Sequence, residues 1–286
     1  MADHAPKRDV VVEAVAREAE SVVSLVLADP DWGPLPAWTP GAHLDVETPA
    51  GERQYSLCGD PAEPGRWRIA VLREPDGRGG SVWLHDSVGA GDRLSVRGPR
   101  NHFELVDAER YVFVAGGIGI TPLVPMVRAA AARDADWTLT YGGRREDSMA
   151  FVSELARYGD RVALWPEDRR GLIDLGAVLG APAPGTAVYC CGPEPLLEAV
   201  ELACGAWPRG ALHVERFHAR PGALAGERGA FEVVLAHSER TLTVGPDETI
   251  AEALESAGLD APTSCREGTC GTCETVVLEG EPDHRD

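Results

Sequence analysis

The chain has 286 residues, of which 44% are hydrophobic and 26% charged, and a formal net charge of −19. That length suits two or three domains whose cores need no disulfides. The charge disfavours nucleic acid and anionic membranes as partners; it suits steering toward a basic protein face, or simple solubility. Residues Met1 to Asp9 carry no apolar stretch of the secretory type. No run of about 18 apolar residues occurs, so no membrane insertion is expected. The seven cysteines are odd in number and unevenly spread, which does not read as a disulfide framework and suits a reducing cytoplasm.

Residues 9 to about 105 read as β. Val22-Val23-Ser24-Leu25-Val26-Leu27, His43-Leu44-Asp45-Val46-Glu47 and Arg66-Trp67-Arg68-Ile69-Ala70-Val71-Leu72 are short runs separated by Gly/Pro/Asp turns. Such spacing predicts an antiparallel barrel or sandwich. Within it stands Arg53-Gln54-Tyr55-Ser56-Leu57. Arginine clamps phosphates, tyrosine lies against flat rings, and a serine hydroxyl bonds a ring nitrogen. An ordinary exposed strand pair is the other reading of Arg53 and Tyr55. Gly77-Arg78-Gly79-Gly80-Ser81 then leads into a predicted short helix, Val82 to Asp86, whose start is a candidate anion site.

Near residue 110 the rhythm changes. Tyr111-Val112-Phe113-Val114-Ala115 is a continuous apolar strand, followed by Gly116-Gly117-Ile118-Gly119-Ile120-Thr121-Pro122 and a predicted helix from Leu123 to Arg133. Pro122 stands where the third glycine of G-x-G-x-x-G would be. The physics is related all the same: glycines let backbone approach a phosphate, and a helix start offers free N–H groups. Thr121 is expected as the N-cap and Pro122 as the first helical residue. A tight turn with no ligand is the alternative. Thr138 to Tyr141, Arg161 to Trp165 and Ala187 to Cys190 are further strands with helical stretches between, predicting a parallel α/β sheet. The loop Gly142-Gly143-Arg144-Arg145-Glu146-Asp147-Ser148 offers both signs of charge. Arg144 or Arg145 with Ser148 suits a ribose 2′-phosphate, and Glu146 or Asp147 suits a ribose 2′-hydroxyl. Cys190 and Cys204 read as small buried hydrophobes. The histidines show no metal spacing, and His213 and His218 are taken as structural or solvated.

His218 to Gly229 reads as a linker. Phe231 to Leu235 and Thr241 to Val244 suggest a hairpin, and Thr249-Ile250-Ala251-Glu252 a capping box. Ile250, Ala253, Leu254 and Ala257 form an apolar helical stripe, with Gly258 as its stop. Cys265, Cys270 and Cys273 follow in a C-x4-C-x2-C run, the spacing of a plant-type [2Fe–2S] centre with four thiolate ligands. The fourth cysteine is absent from this chain, which stops at Asp286. The expectation is a protein that holds flavin well and its cluster poorly. Three cysteines with His284 could supply a zinc site, although such sites usually open with a close cysteine pair.

The order Arg-x-Tyr-Ser, Gly-Arg-Gly-Gly-Ser, Gly-Gly-x-Gly-x-Thr-Pro, Cys191-Gly192-Pro193 and C-x4-C-x2-C resembles the ferredoxin–NADP reductase superfamily, and more closely its phthalate dioxygenase reductase-like branch. Arg97-Gly98-Pro99-Arg100-Asn101-His102-Phe103 is similar to the stretch that ends the flavin barrel in that branch. The resemblance implies a flavin-binding antiparallel β-barrel (1–106), an NAD(P)-binding α/β domain (107–217), a linker (218–229) and a β-grasp ferredoxin-like domain cut short (230–286). It implies that Arg53, Tyr55, Ser56 and Leu57 line the flavin, and that Gly79, Gly80 and Ser81 hold its phosphate. Gly116, Gly117, Gly119, Thr121, Pro122, Arg144, Gly192 and Pro193 would face the dinucleotide. Cys191 would sit near the nicotinamide, Phe217 beside the flavin ring, and Cys265, Cys270 and Cys273 on the cluster. FMN is expected, with FAD the superfamily's other choice, and NADH is favoured over NADPH by the branch.

The implied activity is a relay: hydride from NAD(P)H to flavin, then single electrons through [2Fe–2S] to an oxygenase, either Rieske-type or haem-thiolate. The alternatives are a diaphorase whose C-terminal domain is idle, or a zinc-binding interaction module.

Overall fold

The computed structural model describes residues 6–219, 229–259, 263, 268 and 273–282. They fall into a larger unit, Ala5–Phe217, and a smaller one beginning at His218.

The larger unit opens with β1 (Arg8–Ala19), β2 (Val22–Ala28), β3 (Ala42–Thr48), β4 (Gly51–Ser56), β5 (Arg66–Leu72), α1 (Gly80–Asp86) and β6 (Arg93–Asn101). The strands form one antiparallel sheet in the order β4-β3-β6-β1-β2-β5. A single bridge between Leu57 and Ile69 brings its two outer strands together, so the sheet closes into a barrel rather than a sandwich. Side chains alternate along each strand. Val10 and Val12, Leu25 and Leu27, Leu44 and Val46, Trp67, Ile69 and Val71, and Leu94 and Val96 therefore meet inside, with Leu84 of α1. Trp67 is buried and donates its indole N–H to Pro36 O at 3.2 Å.

The chain continues as β7 (Arg110–Gly116), α2 (Ile120–Ala132), β8 (Asp136–Gly143), α3 (Val152–Leu155), β9 (Val162–Pro166), α4 (Glu167–Arg170), α5 (Leu175–Leu179), β10 (Thr186–Cys191), α6 (Glu194–Ala203) and β11 (Leu212–Glu215). Five parallel strands lie in the order β11-β10-β7-β8-β9. Strands buried on both faces explain the apolar run of β7. One face carries Val112, Val114, Val188 and Cys190 into a core with α5 and α6. The opposite face carries Phe113, Ala115, Tyr189 and Cys191 toward α2. Val22, Cys58, Ala70 and Phe103 of the barrel belong to that second core, so barrel and α/β sheet share apolar packing. The connection between them is tied down by tyrosines. Tyr189 accepts from Val106 N at 2.7 Å and donates to Glu104 O at 2.8 Å.

Two expectations about the glycine loop need correction. Helix α2 begins at Ile120, with Gly119 as an N-cap that lends no side chain. Thr121 lies inside the first turn, 2% exposed, and donates its hydroxyl to Ile118 O at 2.9 Å. Pro122 is then the third helical residue, where its missing N–H is still harmless. The helix is drawn forward because Gly119 packs directly on the end of β10, fixing the entry geometry before the threonine. Strand β11 had no counterpart in the sequence reading.

In the smaller unit β12 (Phe231–Leu235) and β13 (Arg240–Val244) form the expected hairpin. Helix α7 (Ile250–Ser256) starts from Thr249, whose hydroxyl accepts from Glu252 N at 3.1 Å while Glu252 accepts from Thr249 N at 2.8 Å. Gly258 follows in the left-handed conformation, φ +71°, which glycine tolerates at a helix end. Ile250 departs from the apolar stripe, being 45% exposed. Among the described residues no helix is long and apolar enough to cross a membrane.

Candidate active site

The C-terminal ends of β7 and β10 lie side by side, while the chain runs from β7 to β8 and β9 on one side and from β10 to β11 on the other. This is a topological switch point, where parallel sheets open a ligand crevice. The loops beyond the two strands leave no space for side chains between them. A Cβ on Gly119 would lie 2.3 Å from Cys191 O, and one on Gly192 3.0 Å from Gly116 Cα. A Cβ on Gly116 would stand 2.7 Å from both Pro193 Cδ and Leu196 Cδ2. Gly117 differs: its φ is +53° and nothing lies within 4 Å of its would-be Cβ, so its peptide faces open space. The predicted Gly116, Gly117, Gly119, Gly192 and Pro193 are thus brought together. Thr121 and Pro122 are buried beneath them.

Parallel register pairs Cys191 with Ala115 on one side and with Glu215 on the other. Glu215 reaches the barrel, where its carboxyl is hydrogen-bonded to the Ser56 side chain at the end of β4. Its Oε2 is sealed from solvent and finds no partner among the described residues. The stem of Glu215 is part-exposed while the carboxyl itself is enclosed. Burial pushes the Glu215 carboxyl up to about 8, and the Ser56 hydrogen bond offsets only part of that. The group is held as a neutral acid at pH 7. Cys191 is fully buried, and burial first, then Glu215 and Cys190, raise its thiol well above the ordinary range. Ser56, Cys191 and Glu215 therefore form one juncture between barrel and α/β sheet. Glu215 is the site residue that sequence reasoning missed. The alternation Leu212-His213-Val214-Glu215 was its signal.

Along β4, Arg53 and Tyr55 pair with Val46 and Leu44 and lie on the opposite face from Ser56. Arg53 packs against the start of α1: a Cβ on Gly80 would be 2.8 Å from Arg53 Cγ. Gly79 has φ +91°, and Ser81 Oγ accepts from Glu74 N at 3.1 Å. The two candidate phosphate motifs thus meet. Leu57 does not join them; its side chain is in the barrel core and its N–H donates to Ala42 O at 2.8 Å. Alternation keeps Leu57 on the face of Arg53 and Tyr55, but further into the barrel core, against which Tyr55 also packs. Among the described residues, β4 pairs along its length only with β3. Its other edge presents backbone donors and acceptors that a flat heterocycle can match. Phe217, part-buried, packs on the shared core.

These features fit a flavin and a nicotinamide dinucleotide. An edge strand, an arginine beside a glycine turn whose guanidinium donates to Glu52 O and Ala50 O at 2.7 Å each, and a backbone-lined crevice suit these groups, as does the buried Glu215 Oε2, which has no partner among the described residues. For the iron–sulfur centre, Cys273 is exposed and unpaired by disulfide. Cys265 and Cys270 lie outside the described residues. Thiolate donors suit iron and sulfide.

Residues 233–286 match the 2Fe-2S iron-sulfur cluster binding domain, and residues 113–202 match the oxidoreductase NAD-binding domain. The chain is 44% identical over 278 residues to the phenoxybenzoate dioxygenase subunit beta of Ectopseudomonas oleovorans, covering 96% of this chain and 86% of that one. It also superposes on a crystal structure of phthalate dioxygenase reductase, described as a modular structure for electron transfer from pyridine nucleotides to [2Fe-2S]. That match has a TM-score of 0.77 at 36% identity and covers 98% of this chain and 89% of that one. The chain belongs to the phthalate dioxygenase reductase-like branch of the ferredoxin–NADP reductase superfamily. A further match is an intact type IV self-sufficient cytochrome P450 monooxygenase, with TM-score 0.91 and 45% identity over 98% of this chain; the reductase spans 37% of that longer chain. Membership makes it an oxidoreductase and displaces the zinc-module alternative.

Proposed function

We propose that this chain is the reductase component of an oxygenase system, carrying electrons from NADH through FMN and a [2Fe–2S] centre to an oxygenase of Rieske or haem-thiolate type. The observation that carries the reading is the juncture of Ser56, Cys191 and Glu215 at the switch point. Bound nicotinamide supplies hydride, and flavin and iron–sulfur centre convert the pair into single electrons.

The chain's own residues do the rest. Gly116, Gly117, Gly119 and Gly192 offer backbone to the dinucleotide without side-chain obstruction. Arg53, with Gly79, Gly80 and Ser81, holds the flavin phosphate, and Tyr55 and Phe217 bound the ring. Ser56 presents a hydroxyl whose orientation is set by Glu215. Because that carboxyl is a neutral acid, it can donate as well as accept, and it brings no full charge to the juncture with Ser56 and Cys191. Cys191, protonated and apolar, keeps the pocket dry. A water-excluding site strengthens each of these contacts. Cys265, Cys270 and Cys273 would ligate iron.

The choice of nicotinamide rests on the loop after β8. Arg145 is engaged by Glu20 and Asp147, and Glu146 by Arg169 at 2.6 Å. Ser148 donates to Arg145 O at 2.7 Å. Arg144 is exposed and makes no ion pair among the described residues, so it is the side chain that would meet a 2′-phosphate. NADH remains the donor favoured by the branch; a much lower KM for NADPH would reverse that.

The test is anaerobic addition of NADH to the flavin-loaded protein. Bleaching of the flavin absorbance at one equivalent is expected. An unchanged flavin spectrum with either nicotinamide overturns the reading.

A further inference from the structure

We propose that Glu154, on α3, is a positioning residue for hydride transfer, because it grips the two arginines that fix the backbone just beyond Ser56. The proposal rests on the reductase reading above. Arg68 projects from β5 of the barrel and Arg128 from α2 of the α/β sheet. Glu154 takes both: its Oε2 accepts from Arg68 Nη2 at 2.8 Å and its Oε1 accepts from Arg128 Nη2. Each arginine has a second obligation. Arg68 Nη2 also donates to Cys58 O at 2.8 Å, and Arg128 Nη1 donates to Gly59 O at 2.7 Å. Those carbonyls stand two and three residues after Ser56.

The path from carboxylate to site is therefore short. Glu154 orients two guanidinium forks, the forks hold two successive carbonyls, and these fix where the strand leaving Ser56 runs. Ser56 in turn meets Glu215, which pairs with Cys191 at the end of β10 on the other side of the seam. Arg68 is further confined by stacking over the Phe151 ring, 4.9 Å from guanidinium carbon to centroid. Phe151 is held in the left-handed conformation, φ +62°, although buried. A bulky residue persists there only where its surroundings over-determine it. Guanidinium forks fix direction as well as distance. Misplacing a reacting geometry by about 1 Å can slow a reaction by around a hundredfold.

Stability alone is a poor account of this arrangement. The three side chains are each 20–22% exposed. A cleft of about 540 Å³, lined in part by Gly59, Asp60, Arg68 and Arg128, opens beside them. Water reaches the charges, which weakens ion pairs as a source of folding energy. What solvation leaves intact is the direction imposed on Cys58 O and Gly59 O.

The experiment is a double-mutant cycle on the flavin-loaded full chain, read by stopped-flow flavin reduction at saturating NADH. Glu154→Ala and the milder Glu154→Gln are expected to slow reduction about ten- to a hundredfold, with unchanged flavin stoichiometry, and Glu154→Asp to restore part of the rate. In a Ser56→Ala background the Glu154→Ala step is expected to change the rate less than about twofold, since neighbours acting as a unit are non-additive. Hydrogen exchange supplies a readout apart from activity. The amides of Leu57 and Cys58 should exchange faster in Glu154→Gln, while those of Tyr111–Ala115 stay protected. An unchanged rate in Glu154→Ala, fully multiplicative effects with Ser56→Ala, or unchanged exchange at Leu57 and Cys58 would overturn the proposal. If the parent protein itself fails to reduce its flavin, the reductase reading fails first, and that is visible before any substitution is made.

Discussion

Glu154 and Glu215 both project from the α/β sheet into its seam with the barrel, and both act on the same few residues of the barrel, Ser56 to Gly59. One is gripped by two guanidinium groups; the other meets a single hydroxyl and keeps an orphaned oxygen. The difference is one of dielectric and partners. Glu154 sits beside a cleft of about 540 Å³ lined in part by Arg68 and Arg128, and it forms ion pairs with both guanidinium groups. Glu215 sits where water is excluded and no cation is supplied, so neutrality is cheaper than charge. The first environment makes a clamp, the second a proton-bearing group beside a redox site. Perturbed carboxyls of the second kind concentrate at functional sites.

The largest expected effect tests the neutrality of Glu215. Its folded value is raised to about 8 from an ordinary 4.5. Between those values the native state holds a proton that the unfolded chain has released. Stability from this group is therefore complete below pH 4.5 and is lost as pH rises to about 8, at about 1.4 kcal/mol per pH unit and about 4 to 5 kcal/mol in all. Glu215→Gln, a neutral isostere, should match the parent at pH 4.5 and exceed it increasingly up to pH 8. Urea denaturation of both proteins across that range, without nicotinamide, is the measurement. Parallel curves would mean that Glu215 is charged at neutral pH and that the two carboxyls are alike after all.

Next in size is Glu154→Lys, which replaces the anion with a third cation between Arg68 and Arg128. The three side chains are part-exposed and solvent screens them, so the expected loss is about 1 kcal/mol. Because screening acts on repulsion too, raising salt from 0.05 to 1 M should recover part of it. A loss below about 0.5 kcal/mol would show that solvent screens the clamp's charges almost completely, leaving only its directing role.

How much of this seam was legible depends on sequence distance. Barrel strands announced themselves as short runs, such as Val22 to Leu27 and Arg66 to Leu72, separated by Gly/Pro/Asp turns, and β7 because it is continuously apolar. The glycine loop was legible as chemistry but not in register: nothing local to Thr121 tells that Gly119 must lie against Cys191 O, 72 positions away. Strand β11 was missed because four residues at a sheet edge carry too short an alternation, and Glu215 was lost with it. Glu154 was invisible for a different reason. Its partners are 86 and 26 residues distant, and a lone glutamate in Ser153-Glu154-Leu155 reads as a solvated helix face. Cys190 and Cys191 show the converse: adjacent residues on one strand must face opposite ways, so only one of them can line the crevice.

The smallest effect addresses the dryness on which the contrast depends. If the pocket around Glu215 excludes water, Cys191 beside it must be both inaccessible and protonated. Burial raises the thiol of Cys58 to about 12, that of Cys190 to about 12, and that of Cys191 beyond ordinary reach. The thiolate is the nucleophile, so each should resist alkylation. Cys273 is exposed and serves as the internal reference. With iodoacetamide at pH 8 on cluster-free protein, peptide mass spectrometry should find Cys273 modified while Cys58, Cys190 and Cys191 stay unmodified until urea is added. Loading iron and sulfide should then protect Cys273, because a ligating thiolate is no longer free. Rapid native labelling of Cys191 would show water and base reaching the end of β10. Glu215 would then share that water, lose its reason to stay neutral, and become a second solvated carboxylate like Glu154.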